Sequence, residues 1–235
     1  MQLSGSRADH SGKDAMTTTA RDLLETATHA LAPDPEANPL VPLIARGEAS
    51  RGTLAALALE QALVIPADRR AFGHLAERAA DDPESAACLR LLADGETLAE
   101  ERLTAFAEAC GVDAAGTAAY QPRPGCQAYP AYVAWLALNA EPADAVLALS
   151  VNFSAWGGYC ATIADALRRH YGFSDDACAF FDFFAAPAPD LDRQAEAAVR
   201  AGLEAGRLDP ARAHRHGRLL QAYEAMFWTA LAQPA

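Results

Sequence analysis

The sequence LLQAYEAMFWTAL, residues 219–231, indicates most directly how this chain folds. Its large apolar and aromatic side chains recur at intervals of three and four positions, the spacing that brings them onto one face of an α-helix. One carboxylate, Glu224, precedes Phe227 and Trp228 by about one helical turn and so shares their face. The segment therefore predicts a C-terminal helix over residues 209–232 whose buried face carries an acid. The alternative is that Glu224 is a polar residue on the exposed face.

The rest of the chain has the same helical character. Hydrophobic residues make up 51% of it, and the dominant alanine is accompanied by Leu, Glu and Arg, all good helix formers. Ser50 is placed to cap a long helix that Pro66 should kink or split, and Gly157-Gly158 suggests a close helix approach or a bend beside a cavity. We expect an all-α, single-domain bundle of about eight helices over residues 19–235. The segments predicted to be helical are 20–31, 38–46 (a turn or short helix), 50–75, 82–110, 129–139, 141–170, 174–184, 190–205 and 209–232.

Charge and composition exclude several classes of partner. The formal net charge is −12, and no cluster of Lys or Arg forms the positive stripe that phosphate backbones require, so we expect no nucleic-acid partner and no membrane docking. No apolar run reaches the roughly 20 residues that span a bilayer, and no secretory signal pattern is visible. Five cysteines without a CxxC pair indicate reduced thiols and a cytoplasmic location. Residues 1–18 are polar and aperiodic, which predicts a flexible leader, and either Met1 or Met16 is the native start.

Three segments together resemble the TenA/thiaminase II family, which shares the heme-oxygenase-like helical fold with PqqC. They are NPLVPLIARGEASRGTLAALALEQALV at 38–64, YPAYVAWLALNAEPADAVLALSVNFSAWGGY at 129–159, and LLQAYEAMFWTAL at 219–231. The resemblance spans residues 38–231 and implies that fold, a central small-molecule pocket and a homo-oligomer. It also implies a chemistry, because members of the family hydrolyse thiamin or its degraded pyrimidines. In them a cysteine attacks the pyrimidine, an aspartate and a glutamate handle protons, and aromatic residues stack on the ring.

Matched residue by residue, the chain keeps part of this site. Glu224 falls on the family's catalytic glutamate, but Asn152 stands at the cysteine position and Gln61, beside Glu60, at the aspartate position. Two of three catalytic groups are thus absent, which argues against standard thiaminase II activity. Trp156 falls at the stacking tyrosine. The residues predicted to contact a substrate are Glu60, Gln61, Tyr129, Asn152, Trp156, Tyr159, Tyr223 and Phe227.

Other reactive side chains offer few replacements. Cys160 lies about two turns after Asn152 on the same helical face and is the candidate for a displaced nucleophile, with Cys126 as a second. A free cysteine is more often a small buried hydrophobe. Asp165 and His170 are five residues apart and fall on different helical faces, and His214 and His216 are only two apart, so neither pair can face one ion from a regular helix. We therefore predict no metal and no cofactor.

Three functions remain open from the sequence. The leading one is a divergent TenA-like protein that binds a planar heteroaromatic or amphipathic metabolite, with polar contacts from Glu60 or Gln61 and from Asn152. If it is an enzyme, Glu224 is the acid–base group of a hydrolysis or rearrangement that needs no cysteine. The second is a non-catalytic ligand-binding or interaction protein. The third is a thiamin-pyrimidine salvage aminohydrolase that uses Cys160.

Overall fold

Helix boundaries in this chain follow its capping residues. The structure, a computed structural model, describes residues 19–233, so the predicted leader over residues 1–18 lies outside the described residues. The side chains of Thr19, Ser50, Asp82, Ser174 and Asp209 accept hydrogen bonds from first-turn backbone N–H groups of the helices that they precede. The helices are α1 (Ala20–Leu31), α2 (Val41–Ala45), α3 (Arg51–Arg78), α4 (Pro83–Ala109), α5 (Ala114–Ala119), α6 (Pro124–Asn139), α7 (Pro142–Ala166), α8 (Asp175–Ala185), α9 (Pro189–Glu204) and α10 (Pro210–Ala232).

The expected all-α fold class is confirmed. No strand occurs in residues 19–233, and eight of the helices there have eleven or more residues, while α2 has five and α5 has six. Of the two outcomes expected at Pro66, a kink or a split, the split is excluded: α3 is continuous, because packing against α4 and α6 along its length outweighs one lost backbone hydrogen bond. One predicted boundary was wrong. Helix α6 begins at Pro124, ahead of the predicted Tyr129, because proline suits a first helical turn.

Helix α7 is the centre of the bundle. It packs against α1, α2, α8, α9 and α10, and it continues as a π-helical turn over Leu167–Tyr171. Gly172, whose φ is +71°, then ends it in the left-handed conformation that glycine adopts without strain. By length and composition the stretch Pro142–Tyr171 could cross a membrane, but half of its most apolar window is buried inside the protein, as is typical of a core helix.

Two helix pairs complete the frame around α7. The consecutive helices α3 and α4 pack along each other, and α6 packs against α10. Helix α8 contacts both α4 and α7, where Gly157 allows a close approach: a Cβ at that position would lie 2.9 Å from the carbonyl oxygen of Phe184. The close helix approach expected from the paired glycines is therefore present at Gly157. Between these pairs the bundle leaves a cavity.

Candidate functional site

The cavity lies where α3, α4, α6, α7, α8 and α10 meet, and its volume is about 50 Å³. Its walls combine aromatic and aliphatic side chains with an unusual number of buried polar groups. This combination is typical of small-molecule sites, in which a few polar groups orient a ligand between apolar walls. The lining residues are Gln61, Val64, Ile65, Asp68, Glu96, Tyr129, Asn152, Phe153, Trp156, Phe184, Glu224 and Phe227.

A chain of hydrogen bonds holds the carboxyl group of Glu224 in the cavity wall. Asn152 on α7 donates from Nδ2 to Glu224 Oε2 at 2.5 Å, and Trp228 donates from Nε1 to Glu224 Oε1 at 3.1 Å. The hydroxyl of Tyr129 on α6 in turn donates to Asn152 Oδ1 at 2.8 Å. Because Trp228 follows Glu224 by four residues on α10, the helix itself brings those two side chains together. The carboxyl group is therefore oriented by three helices.

Burial raises the pKa of Glu224 from an ordinary value of 4.5 to about 7, although the hydrogen bonds from Trp228 and Asn152 act in the opposite direction. Removal from water penalises the charged carboxylate, and two neutral donors only partly compensate for this penalty. At neutral pH both protonation states of Glu224 are therefore populated. A carboxyl group with this pKa can accept or release a proton near pH 7.

Two further acids line the same cavity and were missed in the sequence. Asp68 on α3 and Glu96 on α4 are only 4% and 5% exposed. Within residues 19–233, Asp68 Oδ1 has no hydrogen-bond partner. Burial raises the pKa of Asp68 well above its usual range, and burial together with the nearby Asp68 charge does the same for Glu96. Their position in the sequence could have revealed them, because Asp68 lies one turn after Val64, and Glu96 one turn after Leu92, on faces that are otherwise apolar.

Aromatic rings form the side of the cavity nearest to solvent. Trp156 on α7 stacks on Trp228, with ring centroids 5.7 Å apart, and meets Phe184 on α8 edge to face at 5.8 Å. Trp156, Phe184 and Phe153 are each partly exposed, whereas Val64 and Ile65 are buried. These partly exposed rings therefore lie between the cavity and solvent.

Six of the nine residues predicted for the site line this cavity: Gln61, Tyr129, Asn152, Trp156, Glu224 and Phe227. Glu60 does not, although it neighbours Gln61. It is fully buried and accepts hydrogen bonds from the Tyr120 hydroxyl at 2.6 Å, the Arg123 backbone N–H at 2.7 Å and Gln127 Nε2 at 2.6 Å. Glu60 therefore anchors the start of α6 to α3, and Gln61 is the residue of the pair that faces the cavity.

Tyr159 and Tyr223 also lie away from the central cavity. Tyr223 packs on Tyr132 of α6, with ring centroids 5.0 Å apart. Tyr159 lines a second cavity of about 470 Å³ bordered by α1, α2 and α7. The charged residues lining that second cavity are Glu36 and Arg46, and both are exposed. Of these two cavities only the smaller is lined by buried acids, so the candidate chemistry lies there.

The cysteines are poorly placed to act as nucleophiles. Cys160 is fully buried, and burial raises the pKa of its thiol well above the usual value. Cys126 is also buried, its thiol donates to the backbone oxygen of Phe227, and burial raises its pKa to about 12. Neither residue lines the central cavity. In the described part of the chain, no group of three or more His, Cys, Asp or Glu side chains could hold a metal ion.

Comparison with known proteins supports the fold seen here. Residues 37–199 match the TENA/THI-4/PQQC family model, while none of the curated proteins matches the sequence. A domain of unknown function with a heme oxygenase-like fold from Shewanella denitrificans OS217 is 14% identical, with a TM-score of 0.69 over 90% of this chain and 89% of that one. A TenA homologue from P. horikoshii OT3 is 16% identical, with a TM-score of 0.62 over 90% and 95% of the two chains. A TenA homologue from Pseudomonas syringae pv. tomato DC3000 is 12% identical, with a TM-score of 0.65 over 92% and 91%.

Proposed function

This chain belongs to the TENA/THI-4/PQQC family, and we propose that it binds a small heteroaromatic or amphipathic molecule in the central cavity and exchanges a proton with it through Glu224. The observation that carries the proposal is a buried carboxyl group in the cavity wall whose pKa lies near 7. The reaction class is a hydrolysis or rearrangement assisted by general acid–base catalysis, without a cysteine nucleophile.

The contacts of Glu224 suit this role. Each carboxylate oxygen offers two acceptor positions, and each oxygen here receives one hydrogen bond, from Asn152 or from Trp228. An acceptor position therefore remains on each oxygen for a ligand. Asn152 cannot attack a pyrimidine as a thiolate would, and it instead holds the carboxyl group in place while Tyr129 holds Asn152. Asn152, at the position of the family's nucleophile, thus orients the carboxyl group of Glu224.

The volume of the cavity sets a condition on binding. A cavity of about 150 Å³ accommodates a benzene ring, whereas this one measures about 50 Å³. A single aromatic ring therefore enters only if rings in the wall move. Trp156 and Phe184 are the candidates, because they are partly exposed and meet each other at the edge of the cavity. The same movement would bring ligand and tryptophan into contact, which makes binding observable.

Tryptophan fluorescence and native mass spectrometry test binding. Trp135 is 47% exposed on α6 and outside the cavity, so a Trp135→Phe background leaves Trp156 and Trp228 as reporters. We expect native mass spectrometry to show a co-purified small molecule, or thiamin and 4-aminopyrimidine to quench the two remaining tryptophans in a saturable way. If neither a co-purified molecule nor saturable quenching is found, the proposal is wrong.

Catalysis is tested with Glu224→Gln against Cys160→Ser. For any bound compound that the wild type converts, we expect Glu224→Gln to lower turnover by about 100-fold or more, as removal of a general acid–base group does. Cys160→Ser should keep turnover, because Cys160 does not line the cavity. Full activity of Glu224→Gln, or loss of activity in Cys160→Ser, would contradict the assignment. The second outcome would favour pyrimidine salvage through a displaced cysteine.

A non-catalytic ligand-binding protein is the second candidate. It is favoured by the replacement of the family's cysteine with Asn152, which uses its amide groups to complete a hydrogen-bond chain. Saturable binding without conversion of any bound compound would select this candidate. A cytoplasmic location, a homo-oligomeric state and the absence of nucleic-acid and membrane partners stay predictions.

A further inference from the structure

Two acids that have no part in the proton exchange proposed for Glu224 lie on the α3–α4 side of the cavity. Asp68 and Glu96 are more than nine-tenths buried and both line the cavity. Asp68 Oδ1 has no hydrogen-bond partner within the described residues. Burial of a carboxyl group without a partner is costly, and native proteins rarely retain it without a reason. Because Asp68 lines the cavity, a ligand there could supply the missing donor.

The surroundings of the pair favour a positively charged donor. Among the described residues that line the cavity there are three carboxyl groups and no Lys, Arg or His. Arg69 on α3 bonds Glu100 at 2.7 Å and does not line the cavity, although its charge acts to lower the pKa of Glu96. Tyr129, Phe153 and Trp156 contribute aromatic rings to the same walls, and ring faces attract cations.

We infer that Asp68 and Glu96 form the binding site for a cationic nitrogen group, an amidinium or ammonium, on the ligand of the central cavity. The inference rests on the proposed function, since it names the charge class of the same ligand. An amidinium presents two N–H groups on a planar fork, which matches acceptor oxygens on two carboxyl groups. A neutral amide has one NH₂ group and carries no charge that would favour the carboxylate form of the acids, which burial disfavours. A metal ion is a poorer match, because the described residues include no cluster of three or more suitable side chains.

Three compounds separate charge from ring binding. Pyridine-4-carboxamidine is a planar cation, pyridine-4-carboxamide is its neutral isostere, and acetamidinium carries the same cation without a ring. Titrations at pH 7.5, followed by tryptophan fluorescence for the ring compounds and by competition or calorimetry for acetamidinium, give the dissociation constants. We expect wild type to bind the amidine at least about 10-fold more tightly than the amide, as expected of charge-assisted hydrogen bonds combined with cation–π contact.

The pair is tested by an Asp68→Asn, Glu96→Gln double variant. Its preference for the amidine, expressed as the ratio of the amide to the amidine dissociation constant, should fall to about 1. In the Asp68→Asn single variant this ratio should fall by at least about threefold. Glu101→Gln is the matched control, because it removes one negative charge from α4 at an exposed site outside the cavity and leaves the Arg69–Glu100 pair intact. It should keep the full preference. Circular dichroism checks that each variant is folded.

The outcomes separate the acid-pair site from the proposed function. Equal binding of amidine and amide, or a preference retained in the double variant, would overturn the acid-pair site and leave ring binding intact. Binding of acetamidinium but of neither ring compound would overturn the proposed heteroaromatic ligand and support the acid-pair site. Failure of both amidines to bind would overturn the acid-pair site.

Discussion

Replacing Glu224 by Gln should flatten the pH dependence of stability. In the folded protein the pKa of Glu224 is raised from 4.5 to about 7 by burial. The folded state therefore holds its proton more tightly than the unfolded state, and the stability contributed by this group is lost as the pH rises from about 4.5 through 7. The shift is worth about 3 kcal/mol in full, of which about 2.5 kcal/mol is lost between pH 5 and pH 8.

The variant can keep the local hydrogen bonds. The introduced glutamine would accept from Trp228 through its oxygen and donate to Asn152 Oδ1 once the Asn152 amide has rotated by 180°. Asn152 Nδ2 would then donate to the hydroxyl oxygen of Tyr129, which can accept as well as donate. Each side chain of this hydrogen-bond chain then keeps a partner, with the Tyr129 hydroxyl now accepting, so the substitution removes the titration while the chain of contacts persists.

Urea denaturation at pH 5 and pH 8 provides the measurement. Between these two pH values wild type should lose about 2.5 kcal/mol more unfolding free energy than Glu224→Gln, or about 5–10 °C in Tm for a chain of this size. Glu108→Gln, at an exposed position on α4, is the control and should follow wild type. If the Glu224→Gln profile follows wild type within about 0.5 kcal/mol, Glu224 does not titrate near 7 and the reasoning is refuted.

Three further predictions concern the cavity and its frame. Asp68→Asn and Glu96→Gln should each lose less unfolding free energy than wild type between pH 5 and pH 8, because each removes a carboxyl group whose pKa burial has raised. Plots of unfolding free energy against pH that run parallel to wild type would contradict this. Gly158→Ala should raise Tm, corresponding to about 0.5–1 kcal/mol of helix propensity, since nothing lies within 4 Å of its added Cβ. Gly157→Ala should lower Tm, because its added Cβ would press on the α8 backbone. A rise in Tm for both glycine variants would show that the helix contact is not tight. Glu60→Ala should lower the unfolding free energy by about 3 kcal/mol, because three hydrogen bonds to a buried carboxylate are lost, while ligand binding persists; a loss of binding with unchanged stability would instead make it a ligand contact.

The sequence predicted much of the architecture because helix formation is governed by local patterns. Ser50 and Asp82 cap the helices expected of them, and the C-terminal helix was predicted over nearly its full length. The inward orientation of Glu224 was also predictable. It shares one helical face with Phe227 and Trp228, and a face that carries such large apolar side chains must be buried.

Which residues line the cavity was decided by the tertiary structure. Successive helical residues point about 100° apart, and only the position of α6 decided that Glu60 anchors that helix while Gln61 faces the cavity. Asp68 and Glu96 are 28 residues apart and meet because α3 packs against α4. Burial of Cys160 was likewise decided by the helices around it. Periodicity and capping, which are local, determined the helices of this protein and which side of α10 is buried. The volume of the cavity, the acids that line it and the pKa of Glu224 depend on which helices pack together, because desolvation is set by neighbours distant in sequence.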